Sequence, residues 1–244
     1  MVGTKNHVRS RFAGRGTNSR ARRAATTGLV AALAVVTNAC SSGGDEPDVS
    51  DEGQIDYACA LADHVGADAD ISSWTLIGDD ADEGARAVGS MACLVGASAG
   101  YVPDGHEDLA KAGQAIFKGL TTADVESMQQ GLQDFTQQCA EVADSSDADV
   151  SAQGQLAYAC ALAGHLTDEH GAFDNWGSIG QEPAWHEAAS VGALFGGLNG
   201  QVLPEHPELS QAGRELVAGT SRVNAGQLQA GLEDINAHCE DVEA

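Results

Sequence analysis

The chain contains itself twice. Residues 53–64, GQIDYACALADH, return at 154–165 as GQLAYACALAGH, and QQGLQD at 129–134, ahead of Cys139, returns as QAGLED at 229–234, ahead of Cys239. A repeat unit of about 100 residues is a whole small domain rather than a solenoid tile. The duplication therefore predicts two tandem homologous domains, 51–142 and 151–244, joined by an acidic small-residue linker, 143–150.

The same alignment sorts the cysteines. Cys59 matches Cys160 and Cys139 matches Cys239, whereas Cys93 matches Ala193. An ancestral pair within each unit predicts Cys59–Cys139 and Cys160–Cys239 bridges and leaves Cys93 over. Each bridge closes a loop of about 80 residues, which in the chain-entropy picture stabilises by about 4–5 kcal/mol. That is comparable to the whole net stability of a small domain. Cys93 sits in the apolar run MACLV and reads as a buried thiol packed as a small hydrophobe.

Ahead of the repeats, seven basic residues from Lys5 to Arg23 precede the apolar run GLVAALAVV at 28–36, and no acid appears before Asp45. This is the pattern of a secretory leader, and an apolar run of about ten residues is too short to span a bilayer. Directly after the run stands Thr37-Asn38-Ala39-Cys40, followed by the polar stretch SSGGDEP at 41–47. The segment resembles the lipobox of bacterial lipoproteins, although Thr37 stands where an aliphatic residue is usual. The resemblance implies a signal peptide at 1–39, acylation of Cys40 and a flexible acidic tether at 40–50. The expected location is extracytoplasmic, lipid-anchored to the cell membrane, in a compartment that permits disulfides. The Ala-, Gly-, Asp- and Val-rich, Lys-poor composition matches GC-rich actinobacterial genomes.

Beyond position 40 the chain carries five basic residues against 36 acidic ones, a formal charge of −31. Nucleic acid is excluded as an expected partner, because its binding relies on Lys and Arg neutralising phosphate. The expected partners are the membrane, through the lipid anchor, an envelope protein and, given the acidic surface, a cation.

Each unit reads as four helices, so the expected fold class is all-α: two four-helix bundles, each with one disulfide joining its first and last helices. Helix one centres on Tyr57 and Cys59, and again on Tyr158 and Cys160, with apolar residues at helical spacing. Helix two is expected over 83–100 and 184–199; from 87 to 102 and from 188 to 204 it carries no charge, which marks it as buried all round. Glycines at 92, 96 and 100 in one copy, counting the Ala at 92 as a small residue, and at 192, 196 and 200 in the other suggest close backbone approach. Helix three begins after His106 and His206 and is expected to end at Gly119 and Gly219. Helix four is expected to start at Thr122 and Asn224.

Candidate chemistry is sparse. Trp-x-x-Ile-Gly recurs as Trp74 to Gly78 and Trp176 to Gly180, among Asp68, Asp70, Asp79, Asp80, Asp82, Asp168, Glu169 and Asp174. His64 pairs with His165 and His106 with His206. No nucleophile elbow, zinc-protease helix, phosphate loop or dinucleotide fingerprint is present, so no catalytic residue, metal site or cofactor is assigned. The expectation is a non-catalytic binding or structural module. Its alternative is a cation- or small-ligand-binding lipoprotein using the acidic Trp74 and Trp176 loops or the histidines His64, His106, His165 and His206.

Overall fold

In a computed structural model, the structure describes residues 47–142, 148–179 and 181–242. The leader, Cys40, most of the tether and linker residues 143–147 lie outside the described residues. The elements are α1 (Asp51–Val65), α2 (Glu83–Leu94), α3 (Glu107–Thr122), α4 (Val125–Val142), α5 (Ala152–His170), α6 (Pro183–Leu194), α7 (Pro207–Arg222) and α8 (Ala225–Val242). Single 3-10 turns at Ile71–Ser73 and Phe173–Asn175 follow α1 and α5. Among the described residues there is no strand, and no helix is long and apolar enough to cross a membrane.

The first helix of each copy starts on the same device. Ser50 and Ser151 accept hydrogen bonds from the amides of Gly53 (3.2 Å) and Gly154 (3.1 Å). Gln54 and Gln155 then reach back to donate to the carbonyls of Val49 (3.1 Å) and Val150 (2.8 Å). An N-cap hydroxyl satisfies a donor that the first helical turn otherwise leaves unpaired. The end of the linker is thus tied down, with Ala148 and Val150 packed against the core as Val49 is in the first copy.

Three boundaries differ from the sequence expectation, each for a local reason. The second helix stops at Leu94 and Leu194 rather than running to 100 and 199. Gly96 and Gly196 take φ of +83° and +80°, a left-handed conformation that ends a helix and that glycine adopts without a Cβ penalty. The third helix runs past Gly119 and Gly219 and ends on Ala123 and Val223, both left-handed. Those two glycines instead let the next helix cross closely: a Cβ there would sit 2.7 Å from the Met128 amide and 2.8 Å from the Leu228 amide. The fourth helix is capped by Asp124, not Thr122; Asp124 accepts from the Ser127 amide at 3.1 Å as Asn224 accepts from that of Gln227 at 3.2 Å. Thr122 is the last residue of α3, and its hydroxyl turns back to the Lys118 carbonyl.

Disulfides join Cys59 to Cys139 and Cys160 to Cys239, with Cα separations of 5.4 and 5.5 Å, so α1 is linked to α4 and α5 to α8. Cys93 is a buried free thiol, and burial pushes its pKa up to about 12. In each copy α2 or α6 lies against the first and third helices, and the third packs along the fourth.

The two copies are packed on each other, and Asp45–Ala244 forms one compact unit. α2 lies against α6. This explains why both helices are buried from Ala85 to Leu94 and from Ala184 to Leu194: one side faces their own copy and the other faces its duplicate. At this seam the matched residues Tyr57 and Tyr158 stack at 3.7 Å with planes 7° apart, as two copies related by an approximate two-fold would place them. Loops interlock too. The Gly78 amide donates to the Asn199 carbonyl (2.8 Å), the Val202 amide to Asp79 (3.2 Å) and the Gln201 side chain to the Ala81 carbonyl (2.8 Å).

Candidate functional site

The sequence candidates scatter. His64 is exposed near the end of α1, whereas His106 faces Glu52 at 3.7 Å, at the start of the same helix. At 1.5 Å per residue the two histidines are therefore roughly 18 Å apart along α1, and they form no site together. His106 and His206 stand at the N-cap positions of α3 and α7, but neither side chain makes a capping hydrogen bond. His206 instead lies 3.9 Å from Glu208. Trp74 is half-buried and lies over Gly84 at the start of α2. Two acids of the first loop are engaged locally, Asp70 by the Ser72 hydroxyl and Asp82 by the Thr75 amide.

Trp176 is placed differently. α5 continues to His170, and the 3-10 turn that follows packs against α8. The Trp176 indole donates to the Gly171 carbonyl at 3.4 Å and that of Trp185 to the Gly177 carbonyl at 3.0 Å. Phe173, Trp176 and Trp185 meet at centroid distances of 5.3 to 5.8 Å, two of the three pairs edge to face. Aromatic pairs prefer such geometry to a flat sandwich. Between it and α8 opens a cleft of about 240 Å³ walled by Phe173, Trp176, Leu228 and Leu232. Gln229, Glu233 and Asn236 bring polar groups to its rim; Gln229 donates to Glu233 (2.7 Å) and Asn236 to the Thr167 hydroxyl (2.8 Å). The matching groove of the first copy is lined by Asp70, Ser72 and three glutamines, and Gln129 reaches across to the Ala67 carbonyl at 3.1 Å.

A second polar assembly lies in the seam itself, and its two halves differ. In one half the buried Arg86 donates to the Gln155 side-chain oxygen (2.7 Å) and the Leu194 carbonyl (3.0 Å), with Glu83 at 3.6 Å. Burial holds this guanidinium below its ordinary pKa. In the other half the matched position is His186, 1% exposed, stacked on Tyr101 at 4.5 Å with planes 3° apart. Glu187, 2% exposed, follows it and lies 3.1 Å from the Nε2 of His170. Asp51, Gln54 and Tyr101 approach from the first copy. Burial, with the nearby His170 second, pushes His186 down to about 3; burial also pushes Glu187 up to about 7. The imidazole is neutral at physiological pH and the carboxyl is poised to exchange its proton there.

Comparison with protein-family models, curated proteins and solved structures finds no match to this chain. The cleft offers an aromatic wall with amide and carboxylate groups at its rim, the make-up of a small-molecule binding site. The seam gathers one grouping of metal-ligating side chains among the described residues, Asp51, His186 and Glu187.

Of the sequence candidates, Trp176 lines the cleft, and His165 stands 6.3 Å from His170, edge to face, at the border of the seam cluster. His64, His106, His206 and Trp74 join neither. Sequence reasoning missed Arg86, His170, His186, Glu187 and the glutamines. The signal was present in Arg86, His186 and Glu187, polar residues at the start of helices that are otherwise apolar all round. A second signal was the Gln that the repeat keeps at 54 and 155.

Proposed function

We propose that this is a lipid-anchored, extracytoplasmic, non-catalytic binding protein of the bacterial envelope, and that it captures a small, largely apolar ligand in the Trp176 cleft. The observation that carries this reading is the cleft's aromatic wall beside a rim of Gln229, Glu233 and Asn236. Apolar surface supplies affinity, and a few polar groups fix orientation. A ligand with one hydrogen-bond donor or a cationic head suits Glu233, and the strongly acidic chain favours the latter. In this reading each repeat is a four-helix bundle inherited from one disulfide-bonded ancestor. The first copy serves as scaffold, and the acyl group on Cys40 holds both at the membrane.

The neutral aromatic probe N-phenyl-1-naphthylamine tests the cleft. One saturable site with energy transfer from tryptophan is expected, weakened about tenfold or more by Trp176→Ala, which removes roughly one to two kcal/mol of aromatic contact. Trp74→Ala serves as the control and leaves affinity unchanged. Binding that is absent, or indifferent to Trp176→Ala, contradicts the proposal.

A further inference from the structure

The two halves of the seam descend from one half duplicated, and they have exchanged charge. Where one carries Arg86, with Ala87 beside it and Ala152 opening α5, the other carries His186, Glu187 and, opening α1, Asp51. The half that owns a fixed cation has no acid at these positions; the half that has two acids has given up the cation. No Lys or Arg stands within ion-pair distance of Asp51 or Glu187 among the described residues. We propose that the second half of the seam binds one divalent first-row transition ion, of the Zn²⁺ or Mn²⁺ class, through Asp51, His186 and Glu187.

One ligand atom from each of the three lies within 4.8 Å of the others. His186 supplies the independent indication: it is 1% exposed, and neither ring nitrogen has a hydrogen-bond partner, the Cys93 carbonyl lying near without reaching bonding geometry. Buried imidazoles are ordinarily satisfied, so an unpartnered one beside two carboxylates points to a ligand that takes its lone pair. One nitrogen and two carboxylate donors suit Zn²⁺, Mn²⁺ or Fe²⁺ better than Ca²⁺ or Mg²⁺, which prefer oxygen alone. The outer contacts are those that orient ligands: Tyr101 fixes the plane of the imidazole and His170 meets Oε2 of Glu187. Burial keeps His186 neutral, the form that ligates. Asp51 is exposed, so its side chain can close onto an ion arriving from solvent. Because the ligands come from both copies, the ion would cross-link them.

Titration calorimetry and native mass spectrometry of the purified, EDTA-treated chain with ZnCl₂ test this, and Co²⁺ absorption reports the donor set. One ion per chain is expected. His186→Asn and Glu187→Gln weaken it at least 100-fold and Asp51→Asn about tenfold, while His64→Asn and His206→Asn leave it unchanged, as loss of ligands rather than of surface charge requires. Should the two buried variants fail to fold, Asp51→Asn decides, because its side chain is at the surface. No stoichiometric ion in the wild type, full affinity in Asp51→Asn, or loss of the ion in His64→Asn instead overturns the proposal.

Discussion

Arg86 and His186 occupy the same position in two copies of one helix, yet Arg86 hydrogen-bonds across the seam whereas neither ring nitrogen of His186 has a hydrogen-bond partner. Arg86 bridges to Gln155 and the end of α6, so it works as a fixed strut between the copies. His186 stacks on Tyr101, lies near the Cys93 backbone and borders the acids Glu187 and Asp51. The loop grooves divide the same way: Gln129 spans the first, whereas Phe173 and Trp176 line an open cleft in the second. Duplication supplied two equivalent bodies, and on the proposed reading one kept a structural role while the other diverged toward binding. Such a division is expected because a strained or unsatisfied group is tolerated where the rest of the fold compensates.

The largest effect should separate the two seam positions. Arg86→Ala strands the Gln155 oxygen and the Leu194 carbonyl and leaves a cavity, for a cost of about 3–4 kcal/mol. In a unit this size that lowers the thermal midpoint by roughly 10 °C. His186→Ala, measured in EDTA, also leaves a cavity but removes an unsatisfied group, and should cost about 1 kcal/mol. Equal costs would break the comparison.

A smaller effect concerns pH, again in EDTA. Glu187 is raised to about 7, so its stabilising share, present below the unfolded carboxyl range, is lost as pH rises through 7. His186 is depressed to about 3, so its share is present above the unfolded imidazole range and is lost as pH falls toward 3. Between about pH 4.5 and 6.5 the two slopes oppose and cancel, giving a plateau in stability. Glu187→Gln leaves only the imidazole, so across that window stability should climb with pH by about 2–3 kcal/mol. Denaturant melts at half-unit steps check this; a flat profile in the variant would remove His186 from the explanation.

The smallest effect is at Cys93, whose matched residue is Ala193. Cys93→Ala should cost about 1 kcal/mol or less, since one small buried group is lost. In the native protein a thiol held near pKa 12 should react with a disulfide reagent only as fast as the chain opens. Rapid labelling of Cys93 would show that its side of the seam is looser than that of Ala193.

Much of the skeleton was legible because it is written twice. Cysteine matching predicted both bridges, and the uncharged second helix announced its burial. The boundaries were less legible: Gly96 is a terminator and Gly119 a contact point, and spacing alone does not separate a left-handed φ from a close helix crossing. The seam was hidden for a physical reason. Asp51 and Glu187 lie 136 positions apart and belong to different copies, so only the packing of α2 on α6 brings them together. His64 and His106, candidates from the same copy, lie toward opposite ends of α1, because the length of the helix keeps apart residues that the sequence alone could not place.

That the duplication builds one body rather than two is tested most directly by differential scanning calorimetry in EDTA. A single reversible transition is predicted for the roughly 200 residues from Asp45 to Ala244, with calorimetric and van't Hoff enthalpies equal near 140 kcal/mol around 60 °C. Two transitions of about 70 kcal/mol each, or a calorimetric enthalpy near twice the van't Hoff value, would mean that the copies unfold independently and that the α2–α6 seam does not join them.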